Sequence, residues 1–143
     1  MNEKPVYIYM ESNISPFEKT GKAGFVMEYV TDSKLRPTLS KILDIHNMTA
    51  QQADIYMLTV ALSHIVKPCK LIICPDKWWL EKGFSQRKDW EAAGYADDKG
   101  NEIKDALAWQ MLFALLDKHE VTILPDQNHE YRSWLKNEVK KTA

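Results

Sequence analysis

Val6-Tyr7-Ile8-Tyr9-Met10-Glu11-Ser12-Asn13 is the stretch on which the fold turns. Val6, Ile8 and Met10 fall on one face of an extended chain, and Tyr7, Tyr9 and Glu11 on the other. Both faces are mostly apolar, so the segment reads as a central strand covered on both sides. Its apolar run ends on an acid, Glu11. Ligands of layered α/β sheets gather at the carboxyl ends of strands. One short segment therefore supplies both a sheet centre and a candidate site.

Working outward, residues 12–22 read as a loop carrying Asn13, Ser15, Pro16 and Gly21. Residues 23–30 read as a second strand, residues 31–34 as a polar turn, and residues 35–45 as a weaker third strand with Pro37 near its start. Thr49-Ala50-Gln51-Gln52 is a capping box that should open a helix running to about Ile65, before Pro68. Residues 69–74 form a short apolar run between Pro68 and Pro75, as a buried strand would. Residues 76–82 predict a short helix ended by Gly83, and Ser85 caps another that ends at Gly94. Residues 102–119 predict a long helix, residues 121–124 a last strand, and residues 127–141 a final helix. The order βββαβ, then helices, then βα implies a five-stranded mixed sheet with helices packed on both faces.

The 143 residues are one domain's worth, so residues 1–143 are expected to form a single domain. The hydrophobic share of 45% and charged share of 27% are ordinary for a globular protein. No apolar run approaches the roughly 20 residues that cross a bilayer, and no signal peptide is expected before the first strand. Cys69 and Cys74 would point to opposite faces of one strand, so they read as buried thiols of a reduced, cytoplasmic protein. The net charge of −1 gives nucleic-acid binding no global support, because phosphate neutralisation supplies most nonspecific affinity. The apolar residues of the long helix, Trp109 to Leu116, read as core, with a homodimer face as the alternative to a monomer.

Three acids stand out by position. Glu11 ends the first strand and Asp76 follows the fourth. Asp54 sits about 200° around its helix from Gln52 and Tyr56, at 3.6 residues per turn. It therefore points inward with Leu58, Ala61 and Ile65. An inward carboxylate costs several kcal/mol unless it is paired or binds a metal. Each acid alone has an ordinary explanation, as a solvated strand end, a helix N-cap or half of an ion pair. Together they point to a divalent-metal site, because a hard cation relieves the repulsion among clustered carboxylates.

The order and spacing of these segments resemble bacterial type I ribonuclease H. Residues 6–13 look like that family's first strand with its Asp-Gly-Ser end, and Asp54 through Leu62 like its acid-bearing helix. Pro68 to Lys77 look like its fourth strand, and Gly83-Phe84, Trp90, Gly94-Tyr95 and Asp105 to Trp109 like its helices and basic handle. The resemblance implies hydrolysis of the RNA strand of an RNA–DNA hybrid, or of structured RNA, with two Mg²⁺ or Mn²⁺ ions. By position, Glu11 would bridge the ions, and Asp54 and Asp76 would complete one of the two sites. Ser12, Asn13, Gln51 and Trp78 fall at substrate-facing positions.

The chain also departs from the pattern. Glu11 stands where the family has Asp, and Asp54 where it has Glu. Aligning Leu135 puts Ser133 at the fourth acid, with Asp126 and Glu130 as possible surrogates. Residues 125–130 lack the family's Gly-His-x-Gly, so His129 either replaces its loop histidine or is a surface histidine at a helix start. Lys77, Lys82, Arg87 and Lys88 are interleaved with Glu81, Asp89 and Glu91, a mixed solvated face rather than a basic handle. Two functions follow. One is a metal-dependent nuclease of reduced activity; the other is a catalytically inactive module that binds nucleic acid or a protein partner.

Overall fold

A computed structural model describes residues 5–33 and 35–141. The residues before the first strand, and Lys34 of the expected turn, lie outside the described residues. The elements are β1 (Pro5–Ile14), β2 (Thr20–Tyr29), β3 (Thr38–His46), α1 (Ala50–Leu62), β4 (Lys70–Cys74), α2 (Trp79–Ala92), α3 (Ala106–Leu116), β5 (Glu120–Ile123) and α4 (Arg132–Lys140). One five-stranded sheet has the order β3-β2-β1-β4-β5. β1 pairs antiparallel with β2 and parallel with β4, so the expected central strand is central and the sheet is mixed. Among the described residues no helix is long and apolar enough to cross a membrane.

The two faces of β1 are served by different helices. Val6, Ile8 and Met10 join Ala23, Phe25, Met27, Leu58, Leu71 and Leu112 in the main core, which α1 and α3 cover. The opposite face carries Tyr7, Tyr9 and Glu11, and there α4 packs with Leu135 close to Gly24. Gly24 is the cross-strand partner of Glu11. A Cβ on it would come within 2.5 Å of Ile42 Cδ1 and 3.3 Å of Leu135 Cδ2, so only glycine lets α4 close over this end of the strand.

Several boundaries differ from the sequence expectations, and four of them have a clear physical reason. Glu11 does not end β1: the strand continues to Ile14 because Glu11, Ser12, Asn13 and Ile14 all find antiparallel partners in β2, the first pair being Glu11 and Gly24. The two short helices expected around Gly83 are one helix, α2. Gly83 sits in its interior because the Trp109 ring lies against it, where a Cβ would meet Trp109 Cη2 at 2.2 Å. Ser85 caps nothing; its hydroxyl donates to the Lys82 carbonyl at 2.7 Å. α3 starts only at Ala106, since Asp105 before it is left-handed at φ 59°. α4 starts at Arg132 rather than near Gln127, after a segment in which Asp126 is also left-handed, at φ 53°.

Candidate active site

Asp54 is placed by the first turn of α1. Thr49 and Gln52 form both halves of the capping box: the Gln52 N–H donates to Thr49 Oγ1 at 3.2 Å, and the Thr49 N–H to Gln52 Oε1 at 3.0 Å. With the start of the helix fixed, Asp54 faces inward and is 0% exposed. Its Oδ2 accepts a hydrogen bond from the indole N–H of Trp79. Its Oδ1 is buried without a hydrogen-bond partner. Burial, and next the charge of Asp76, push its carboxyl up to about 7. Trp79, Lys77 and Ser12 oppose that shift.

The parallel pairing of β1 with β4 brings the other two acids together. The ladder's last partners are Tyr9 and Cys74, and Glu11 and Asp76 each lie two residues beyond. The side chain of Asp76 is 3% exposed. Its Oδ2 accepts from the Ser12 N–H at 3.2 Å and from Lys77 Nζ at 2.6 Å, while its Oδ1 is buried without a partner. Glu11 is 7% exposed, and its carboxyl is raised by burial and then by Asp76, against the opposing charges of Lys136, Lys77 and Arg132. Asp76 thus acts on both other acids.

The remaining candidates are placed less centrally. Ser133 is exposed on α4. The charges that α4 sets near Glu11 are cationic, those of Arg132 and Lys136. Asp126 is 73% exposed and bonded to Arg132 at 2.6 Å, and Glu130 is exposed. His129 is not a surface histidine. Its ring stacks on Tyr9 at 4.2 Å, and burial together with Arg132 lowers its pKa. Ser12 is buried and meets the site through its backbone N–H on Asp76 and through its side chain, which favours the charged Asp54, whereas Asn13 is exposed. Gln51 and Trp78 line a cleft of about 270 Å³ with Trp79, Lys82 and Trp90, and Lys82 Nζ lies 5.2 Å from the centre of the exposed Trp78 ring.

What cation would these residues accept? Among the described residues, no three His, Cys, Asp or Glu side chains stand as a ready ligand set for a metal ion. Two buried carboxylate oxygens, Asp54 Oδ1 and Asp76 Oδ1, are nonetheless without donors. Buried polar atoms are nearly always satisfied, and an unsatisfied one costs about 1–3 kcal/mol or more when charged. The three carboxylates face the ammonium of Lys77, and Glu11 also feels Lys136 and Arg132, so the negative charge left for a metal ion is no more than one divalent ion would cancel. A second ion has no such place: Ser133 is a neutral, exposed group, and its surroundings are positive. Asp54 Oδ1 and Asp76 Oδ1 would be the places for one divalent cation, and no acid at Ser133 would hold a second.

Sequence reasoning missed the two side chains that organise this site. The sequence puts Lys77 in a mixed surface and singles out Trp78, not its neighbour Trp79. Adjacency was the available signal, since residues next to an acid at a strand exit are held beside it by the backbone. Glu28 was also missed: it is 1% exposed, pairs with Arg36 at 2.8 Å and accepts from the Tyr131 hydroxyl. With the Tyr9–His129 stack, it ties residues 129–131 to the sheet.

The chain can now be set beside known proteins. The RNase H family profile matches residues 3–130. A ribonuclease H of Chromobacterium violaceum is 29% identical over 72 residues, which are 50% of this chain and 49% of that relative. The chain thus spans about half the length of that curated relative. The crystal structure of LC9-RNase H1, described as a type 1 RNase H with the type 2 active-site motif, superposes with a TM-score of 0.72 at 16% identity, covering 96% of this chain and 71% of that one. A foamy viral protease–reverse transcriptase in complex with an RNA/DNA hybrid gives a TM-score of 0.63 at 14% identity, over 96% of this chain and 19% of that one. The structural likenesses speak for the fold, and the profile covers most of the sequence: the chain belongs to the ribonuclease H family.

Proposed function

We propose that this protein hydrolyses the RNA strand of RNA–DNA hybrids with one divalent cation, Mg²⁺ or Mn²⁺, and more slowly than a site with four carboxylates would. The observation that carries the reading is Asp54, a wholly buried carboxylate with one oxygen unpartnered and its carboxyl raised by burial and by Asp76, where a cation would relieve both. Asp54 and Asp76 would hold the ion, with Glu11 beside them. When bound, the ion supplies the positive charge that lowers the barrier to attack on a phosphodiester. The chain supplies the rest. Trp79 fixes the orientation of Asp54, and the Ser12 amide fixes that of Asp76. Burial of all three acids keeps competing water from the carboxylates. The cleft at Gln51, Trp78 and Lys82 offers an aromatic face and a cation to a strand running past the site. Hydrolysis breaks one P–O bond and forms one from water, so no other reactant is needed.

A second reading, a non-catalytic module that binds hybrid, is favoured by the cations Arg132 and Lys136 where the family's fourth acid would act. They can meet phosphates but cannot hold a second ion. One experiment separates the two. Purified protein is incubated with a labelled RNA–DNA hybrid in Mn²⁺ and in Mg²⁺, beside Glu11→Gln and Asp76→Asn. Metal-dependent cleavage that disappears in both variants is expected. Cleavage that survives both belongs to another site or a contaminant. Retention of hybrid without cleavage would establish the binding module instead.

A further inference from the structure

Among the described residues, the one ion pair inside the acid site, Lys77 with Asp76, has a definite geometry. Lys77 Nζ lies 2.6 Å from Asp76 Oδ2 and 3.3 Å from the carbonyl oxygen of Ser12, and 5.6 Å from the centre of the Trp79 ring. A carboxylate oxygen and a backbone carbonyl oxygen are the ligands a hard cation selects. An ammonium carries three donors and a unit charge, and satisfies the same oxygens. The aromatic face adds a third attraction. The lysine is held at its root as well, because it follows Asp76 directly at the exit of β4. Its stem, 37% exposed, reaches back over the site instead of out to solvent. The site therefore contains a cation of its own, seated between β1 and β4. Within the acid site, among the described residues, Asp54 Oδ1 and Asp76 Oδ1 are left over as buried acid oxygens; a third, Asp105 Oδ2, lies at the start of α3.

We propose that the Lys77 ammonium is a built-in counter-ion that occupies a divalent cation's place on Asp76, so that metal binds this protein only in competition with it. The inference rests on the reading of Glu11, Asp54 and Asp76 as a cation site, and goes beyond it by giving this chain its own regulator of metal affinity. Free of metal, the lysine holds the acids together. In the presence of metal, it must swing outward, and the affinity measured is what remains after that displacement. The exposed part of its stem is the route.

The test uses the whole protein without nucleic acid, so its failure is distinct from a failure to cut hybrid. Mn²⁺ binding is measured by calorimetry and by loss of the free-ion electron paramagnetic signal for wild type, Lys77→Met, Lys77→Gln and Lys77→Arg. Removing a unit charge in contact with the ligand carboxylate should tighten Mn²⁺ binding at least roughly tenfold in Lys77→Met and Lys77→Gln. Lys77→Arg, which keeps the charge, should not gain. Melting temperatures supply the second readout. In a chelator both neutral variants should melt below wild type, and added Mn²⁺ should restore them. If Lys77→Met does not fold, Lys77→Gln, which keeps a donor for the Ser12 carbonyl, carries the comparison. Equal or weaker Mn²⁺ binding in the folded neutral variants overturns the proposal, and so does an absence of Mn²⁺ binding in all four proteins.

Discussion

Replacing Asp54 with Asn should stabilise the metal-free protein, and do so increasingly as pH rises. The carboxyl of Asp54 is pushed from an ordinary 3.8 to about 7 in the folded chain, by burial first and by Asp76 second. The sign follows from which state holds the proton. Below pH 4 both the folded and the unfolded chain keep it, and the group contributes nothing. Between pH 4 and 7 the unfolded chain loses its proton while the folded one retains it, so folding weakens steadily as pH rises. Above about 7 the penalty levels off, at about 4 kcal/mol if the whole shift is taken at 1.36 kcal/mol per pH unit. The coupling to Asp76 makes that an upper value, and about 2–4 kcal/mol is the expected range. Domains have only about 5–15 kcal/mol in hand, so the effect is large. Asn keeps an oxygen for the Trp79 indole and carries no charge to repel Asp76. Urea unfolding followed by tryptophan fluorescence, in a chelator at pH 4.5, 6 and 8, measures it. Asp54→Asn should exceed wild type by only about 1 kcal/mol near pH 4.5 and by most at pH 8. Saturating Mn²⁺ should reverse the order at pH 8, because only wild type offers the ion a carboxylate there. A gap between the two proteins that does not change with pH would mean that Asp54 titrates normally and that its surroundings already satisfy its charge. The case for a cation site would fall with it.

Two further substitutions test the scaffold beneath the site. Gly83→Ala gains about 1 kcal/mol of helix propensity, but its Cβ would meet Trp109 Cη2 at 2.2 Å. Overpacking of that kind costs about 1–3 kcal/mol, so the melting temperature should fall; a rise would show that the Trp109 ring gives way freely. Tyr131→Phe leaves buried Glu28 with Arg36 alone and should cost about 1–3 kcal/mol in chemical denaturation. It should also speed hydrogen exchange in residues 127–131, whereas unchanged exchange would mean that the Tyr9–His129 stack alone holds that segment.

Much of the fold was legible because it rests on period and order. The alternation over Val6 to Met10 marked β1, the capping box at Thr49 marked the start of α1, and the βββαβ order required a mixed sheet. The misread boundaries share one cause: a tertiary contact overrode a local signal. Gly83 looked like a helix stop and is a seat for Trp109, a ring contributed from 26 residues further along the chain. Glu11 looked like a strand end because the apolar run stops there, yet antiparallel pairing with β2 needs no apolar side chains, and the ladder runs on to Ile14.

The site divides along the same line. That Asp54 points inward could be computed from helical periodicity alone, and the structure buries it completely. What periodicity cannot give is who stands beside it. Lys77 falls in a run of alternating charges that reads as a solvated face, and nothing in that run separates it from Lys82 or Lys88. The separation comes from the backbone: Asp76 lies two residues past the end of a parallel strand beside β1, so the next residue is delivered over the Ser12 carbonyl while Lys82 is carried out along α2 to the exposed face of Trp78. A lysine one position after the acid therefore belongs to the site's charge balance, and one six positions after belongs to its surface. A shift of the lysine from residue 77 to residue 78, made as Lys77→Trp with Trp78→Lys, preserves composition and net charge. It should free Asp76 Oδ2 and tighten Mn²⁺ binding as Lys77→Met does. Unchanged Mn²⁺ affinity in that exchanged protein would show that net charge near the acids, and not the seat on the Ser12 carbonyl, governs the ion.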